Sequence, residues 1–178
     1  MNRGFWLIIF AFSVIQLYAQ ESYTLATSTI RYSGYHVAHD WTGASTKAAG
    51  ILILNDSKLQ RIAVSVPLAS FDSNSSNRDS NALRVLNALL HPEARFYSEQ
   101  IRQIDDESVE LLGFFELNGI RQDYKLILRL TTQENECHIS GKFKLNLNDF
   151  DLKLPRFLLK PIEEEIDVDI ELKFKQNP

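Results

Sequence analysis

From Ile166 to Phe174 apolar and charged residues alternate without a fault. Ile166, Val168, Ile170, Leu172 and Phe174 are separated by Asp167, Asp169, Glu171 and Lys173. Period two places the apolar set on one face of a half-buried strand. A helix would spread the acids around its circumference, half of them into the core. The same beat runs through Ile62, Val64, Val66 and Leu68, and through Tyr124, Leu126, Leu128 and Leu130 opposite Lys125 and Arg129. It returns at Phe143, Leu145 and Leu147 opposite Lys142, Lys144 and Asn146. Residues 23–26 and 29–37 read as an opening pair of strands, and 42–54 as a longer extended run bent at Gly43 and Gly50. Residues 94–104 and 108–117 form a hairpin turning at Asp105–Asp106. Asn118–Gly119 is the dipeptide of a type I′ turn and joins Leu117 to Ile120 tightly.

One segment departs from this beat. Residues 77–90 carry Leu83, Leu86, Leu89 and Leu90 at spacings of three and four, the stripe of an amphipathic helix. Ser76 or Asn77 caps its start, Asp79 sits favourably in the first turn, and Pro92 ends it. The sum is eight or nine antiparallel strands with a short helical insert, an all-β chain that is either a sandwich or a barrel. Long strands joined by tight turns favour the antiparallel β-barrel, because closure removes the sheet edges. Eight strands leave an interior wide enough for side chains or one small ligand.

The N-terminus obeys different rules. Arg3 precedes an apolar run from Phe5 to Ile15, and small Ala19 stands just before Gln20. Residues 1–19 read as a secretory signal peptide, too short to span a bilayer. Residues 20–178 then form one barrel domain, periplasmic or secreted, without a stable membrane anchor. Removal leaves 159 of the 178 residues and moves the net charge from −4 to −5, since Arg3 is lost. A chain of that length holds one real core. The lone Cys137 excludes a disulfide scaffold and also a lipid-modified N-terminal cysteine. Acidic balance without a basic stripe argues against nucleic acid.

Candidate chemistry is sparse. His36, His39 and Asp40 lie close in sequence, but spacing of three in a strand sends the two imidazoles to opposite faces, and a fourth ligand is missing. Cys137 and His138 are adjacent and so point apart. The serine-rich run from Ser70 to Asp79 reads as a loop that caps the following helix. No nucleophile elbow, phosphate loop or zinc-protease motif occurs, so neither a catalytic set nor a resident metal or cofactor is expected. An enzyme built around His36 and His39 is the weakest of three readings. A non-binding structural or interaction module of the envelope is the second.

The first reading comes from a resemblance. His36–Val37–Ala38–His39–Asp40–Trp41–Thr42–Gly43, Val66–Pro67–Leu68–Ala69–Ser70–Phe71–Asp72–Ser73, Ser76–Asn77–Arg78–Asp79 and His91–Pro92–Glu93–Ala94–Arg95–Phe96 resemble the bacterial YceI-like family. Leu117–Asn118–Gly119–Ile120 and residues 141–150 continue the likeness. The chain departs from the family pattern at Asn81, Asn118 and Asn148–Asp149–Phe150–Asp151. The resemblance implies a lipocalin-like barrel that binds a polyisoprenoid or similar fatty-acyl lipid and performs no chemistry. Barrel-lining residues are then expected at Ile62, Val64, Val66, Tyr124, Leu126, Leu128, Phe143, Leu145, Leu147, Ile166, Val168 and Ile170.

Overall fold

The computed structural model describes residues 20–34, 41–154 and 164–178, together with the backbone of 156–157 and 160–161. The leader, His36, His39 and Asp40 lie outside the described residues. Eleven strands and one α-helix follow in the order β1 Gln20–Gly34, β2 Trp41–Ser45, β3 Ala49–Asn55, β4 Lys58–Pro67, α1 Ser76–Val85, β5 Glu93–Gln103, β6 Ser108–Leu117, β7 Ile120–Gln133, β8 Glu136–Asn146, β9 Arg156–Phe157, β10 Lys160–Pro161 and β11 Glu165–Gln176. Two short 3-10 turns occupy Leu68–Ser70 and Leu147–Phe150.

Strands β3 to β8 pair antiparallel in sequence order. β8 pairs with β11, β11 with β1, and the first half of β1 with β3, which closes an eight-stranded barrel. The second half of β1 pairs with β2, so β2 and β3 share one edge of a single long strand. The expected extended run over 42–54 is therefore present but breaks at 46–48, away from its glycines. The backbone freed there is held by hydroxyls: Lys47 N–H donates to Ser45 Oγ at 3.2 Å and Ala48 N–H to buried Ser28 Oγ at 3.3 Å.

The opening pair of strands is in fact one strand. A bulge at Ala26 shifts the pairing of β1 with β11 by one residue. Tyr23 and Leu25 face inward before it, Ser28, Ile30 and Tyr32 after it. A one-residue slip exchanges the two faces of a strand, so one bulged strand reads in sequence as two. Similar shifts in β4 and β5 move the inward set from Leu59 to Ile62 and from Ser98 to Ile101.

The two ends of the barrel differ. One carries tight turns at Asp56–Ser57, 104–107 and Glu134–Asn135, where Asp56, Ser57 and Glu134 have positive φ. Its interior is solid: Tyr23, Leu54, Leu59, Val109, Cys137 and Phe174 pack there with almost no exposure. The other end receives the long connections. Residues 68–92 form an excursion closed at its base by Leu68 N–H to Pro92 O at 2.8 Å, and pinned to β2 by paired Ala44–Asp72 backbone bonds. A second excursion is closed by Leu147 N–H to Glu164 O at 2.7 Å. Between them the Asn118–Gly119 turn has φ of 52° and 74°, the type I′ signature the dipeptide announced. Asn118 Nδ2 donates to Phe150 O at 3.1 Å, and its Oδ1 accepts from Asn87 Nδ2 at 3.3 Å, so this side chain stitches both excursions together.

Helix α1 is shorter than its leucine spacing suggested. It ends at Val85, and Asn87 at φ 52° turns the chain away. Leu83 and Leu86 pack toward the barrel, but Leu89 is 96% and Leu90 71% exposed. The cap is Ser75, one residue earlier than expected, and it makes no side-chain bond. Asp79 binds the start of the excursion instead, accepting from Ser73 N–H at 3.2 Å and Ser73 Oγ at 2.6 Å.

Candidate binding cavity

The solid packing stops halfway along the barrel. Toward the end covered by α1 the interior opens into a cavity of about 420 Å³, within the range of small-molecule sites. Its walls come from alternate residues of seven barrel strands, β1, β4 to β8 and β11. Helix α1 contributes Ala82, Leu83 and Val85 as a lid, with Leu86 at its C-terminal cap, and Phe71, Leu147, Leu152 and Leu154 complete the rim. Phe96 and Phe115 stack obliquely across β5 and β6 at 4.8 Å, and Phe143 lies 5.5 Å from Phe115, so a band of aromatic rings lines one wall.

The period-two reading places most of its residues here. Ile62, Val64, Val66, Leu126, Leu128, Phe143, Leu145, Leu147, Ile166, Val168 and Ile170 all border the cavity. Tyr124 does not. Its ring stacks on Phe150 at 6.2 Å and meets Phe115 edge-on at 5.3 Å. Its hydroxyl donates to Asp149 Oδ2 at 2.7 Å and accepts from Asn146 N–H at 3.1 Å. A phenol needs polar partners when buried, and the 3-10 turn supplies them, so Tyr124 braces the rim. Burial, followed by the bond to Asp149, pushes its pKa up to about 12.

Pattern reading missed Ile30, Tyr32, Trp41, Phe71, Phe96 and Phe115. The β1 members lie beyond a bulge and Phe96 just before one, so neither strand keeps a single beat along its length. Trp41 opens β2, a strand of five residues and too short to show a beat, and Phe71 belongs to a connection, which has no period to read. Tyr32 is the hinge of this second cluster, with its ring centroid 5.4 Å from Trp41 and 5.6 Å from Phe71. Burial raises the pKa of its hydroxyl, nearby Asp79 and Asp72 add to the rise, and Arg78 opposes it. Polar groups at the cavity are confined to this side and to Asn81 and Arg95. The Arg95 guanidinium is drawn outward, pairing with Glu93 at 3.1 Å and Glu116 at 3.3 Å.

Other titratable groups stand apart. Cys137 is buried in the solid end, where desolvation raises its thiol pKa and keeps it protonated. His138, on the opposite face of β8, meets Glu171 Oε2 at 2.6 Å on the outer surface. Among the described residues no three His, Cys, Asp or Glu side chains gather as a metal-ligand set, and no helix is long and apolar enough to cross a membrane.

Comparison with known proteins agrees with this architecture. The model of the YceI-like domain matches residues 23–174. A UPF0312 protein of Azotobacter vinelandii is 26% identical over 121 residues, covering 64% of this chain and 62% of that one. A UPF0312 protein of Pseudomonas syringae pv. tomato is 24% identical over 153 residues, covering 79% and 75%. BcnA of Burkholderia cenocepacia superposes with a TM-score of 0.74 at 14% identity, over 82% of this chain and 95% of its own. A polyisoprenoid binding domain from Saccharophagus degradans, implicated in plant cell wall breakdown, superposes at 0.70 with 12% identity, over 87% and 98%. These structural likenesses concern the fold.

Proposed function

Because the chain belongs to the YceI-like family, we propose that it binds a long apolar chain, that of a polyisoprenoid or similar lipid, inside the open half of its barrel. The observation that carries this reading is the cavity itself. Its lining is almost wholly aliphatic and aromatic, the solid core floors it, and its polar side chains are few. Each methylene transferred from water to such a lining contributes about 0.8 kcal/mol, so an alkyl tail needs no further recognition along its length. The protein acts as a binder or carrier and catalyses nothing. Residues 1–19 direct export and are cleaved after Ala19, which places the barrel of residues 20–178 in the periplasm or outside the cell. The eleven lining residues named above make the tail contacts. The fold shared with the Saccharophagus degradans domain supports the reading, because that domain is described as polyisoprenoid binding.

The test is organic extraction of protein purified from its own cell envelope, followed by mass spectrometry. A stoichiometric amphiphile with a long hydrocarbon tail is expected. Repeated recovery of lipid-free protein that also fails to take up added isoprenoids would overturn the proposal.

A further inference from the structure

The turn that follows the lid points two leucines at solvent. Leu89 is 96% and Leu90 71% exposed, whereas the next most exposed large apolar side chain among the described residues, Ile127, stands at 58%. Exposed leucines scattered singly need no explanation, but an adjacent pair at a tip does. The turn presents them firmly. Leu90 N–H and His91 N–H both donate to Asn87 O at 3.0 Å, and Ala88 N–H donates to Leu83 O at 2.9 Å. Ala88 packs against the core, and Asn87 Nδ2 is tied to Asn118. The same excursion borders the cavity through Leu83, Val85 and Leu86, so the tip stands on the lid, at the open end of the barrel. From Ser80 to Pro92 the chain carries Arg84 and no acid. Arg84 is exposed, and its guanidinium donates to uncharged Asn81 Oδ1 at 2.9 Å. Asp79 and Glu93, the acids that bracket this stretch, are engaged by Ser73 and by Arg95.

We propose that Leu89 and Leu90 insert into a lipid bilayer and dock the open end of the barrel against it. The docking rests on the tip alone; passage of a tail between bilayer and cavity rests in addition on the lipid-site reading above. A stable protein partner buries about 800 Å² on each side, far more than two leucines offer. A bilayer asks for less, because apolar side chains sink into the acyl boundary one by one and binding grows with the area they bury. A tip with one exposed arginine and no acid meets the lipid phosphates without repulsion. Contact through two side chains is weak and reversible, as a carrier that must leave the membrane again requires. Docked in this way, the lid stands at the bilayer surface, and a tail reaches the cavity without crossing bulk water.

The experiment compares the full chain with the double variant Leu89→Ser/Leu90→Ser in co-sedimentation with phosphatidylcholine vesicles. The variant should partition at least about tenfold less, the equivalent of about two methylenes withdrawn from the acyl boundary. Ile127→Ser, on the outer wall of β7, serves as the control and should stay within about twofold of wild type. Equal partition of wild type and double variant, or an equal loss in Ile127→Ser, would overturn the docking. So would a dimer that the double variant dissolves, or a marked fall in its Tm, since either would show the two leucines already covered by protein. Transfer of dansylaminoundecanoate from the barrel to the same vesicles then reads the passage. Its rate should rise in proportion to vesicle concentration for wild type, as transfer by contact requires, and become independent of it for the double variant. A wild-type rate independent of vesicle concentration would overturn the passage and leave the docking to the sedimentation result. Failure of wild-type protein to bind the dansyl probe at all would overturn the lipid-site reading instead.

Discussion

Leu54→Ala and Leu145→Ala remove the same three carbons from two buried leucines, 0% and 8% exposed, yet they should not cost the same. Leu54 sits in the solid end, while Leu145 borders the cavity. The transfer free energy lost is about 2.4 kcal/mol at either site, at about 0.8 kcal/mol per carbon. At Leu54 the surrounding side chains are close-packed and cannot collapse, so a new void of roughly 70 Å³ adds about 1.7 kcal/mol at about 24 cal/mol per Å³. The total is about 4 kcal/mol. Leu145 already lacks packing partners on its cavity side. Truncation there only enlarges an existing space, and the cost stays near 2 kcal/mol. A gap of about 2 kcal/mol corresponds to about 4–8 °C in Tm for a chain of this length. Thermal and urea unfolding of the lipid-free variants reads it, with an unchanged urea slope as the check that the denatured state is the same. Equal losses at the two sites would refute the division of the barrel into a solid and a hollow half.

Tyr23 and Tyr124 are both held protonated, with pKa pushed up to about 12, by burial first and then by bonds to Glu21 and Asp149. A raised folded-state pKa gives stability that is intact below the ordinary value near 10 and lost as pH rises toward 12, so the unfolding midpoint should fall over that window. Tyrosinate absorbance showing both groups titrating near 10 in the folded protein would contradict this. Gly119→Ala places a Cβ at φ 74° and 2.5 Å from His91 Cε1, and should cost at least about 1–2 kcal/mol by chemical denaturation. Leu89→Ser should change stability by less than about 0.5 kcal/mol, since that side chain is almost fully exposed. A larger loss would mean that Leu89 packs against something in solution.

Strand identity and barrel closure were legible because half-buried strands write their inward face at every second residue, as in Ile166 to Phe174. The cavity wall was legible for the same reason in β8, β11, most of β7 and the part of β4 past its bulge. Bulges at Ala26 and in β5 reversed the beat, which split β1 in two and hid Phe96. Tyr124 kept the beat and still left the cavity, because its hydroxyl is claimed by a turn over twenty residues away in sequence. The leucine stripe misled at Leu89 and Leu90 because Asn87, in the left-handed region, ends the helical course before they are reached. Whether apolar side chains filled the barrel was beyond pattern reading. Filled and hollow halves use the same residue types, and only their volumes against the closed sheet separate them.

The most direct test of the account is the affinity of an apolar probe for wild-type protein and for Val64→Phe. Val64 borders the cavity from β4 and is half-buried, so the added ring occupies space the tail would fill. Displacing about two methylenes' worth of contact weakens binding about tenfold. The expected result is that loss with Tm almost unchanged. Equal affinity in the two proteins would place the probe elsewhere and contradict a lipid site within the barrel.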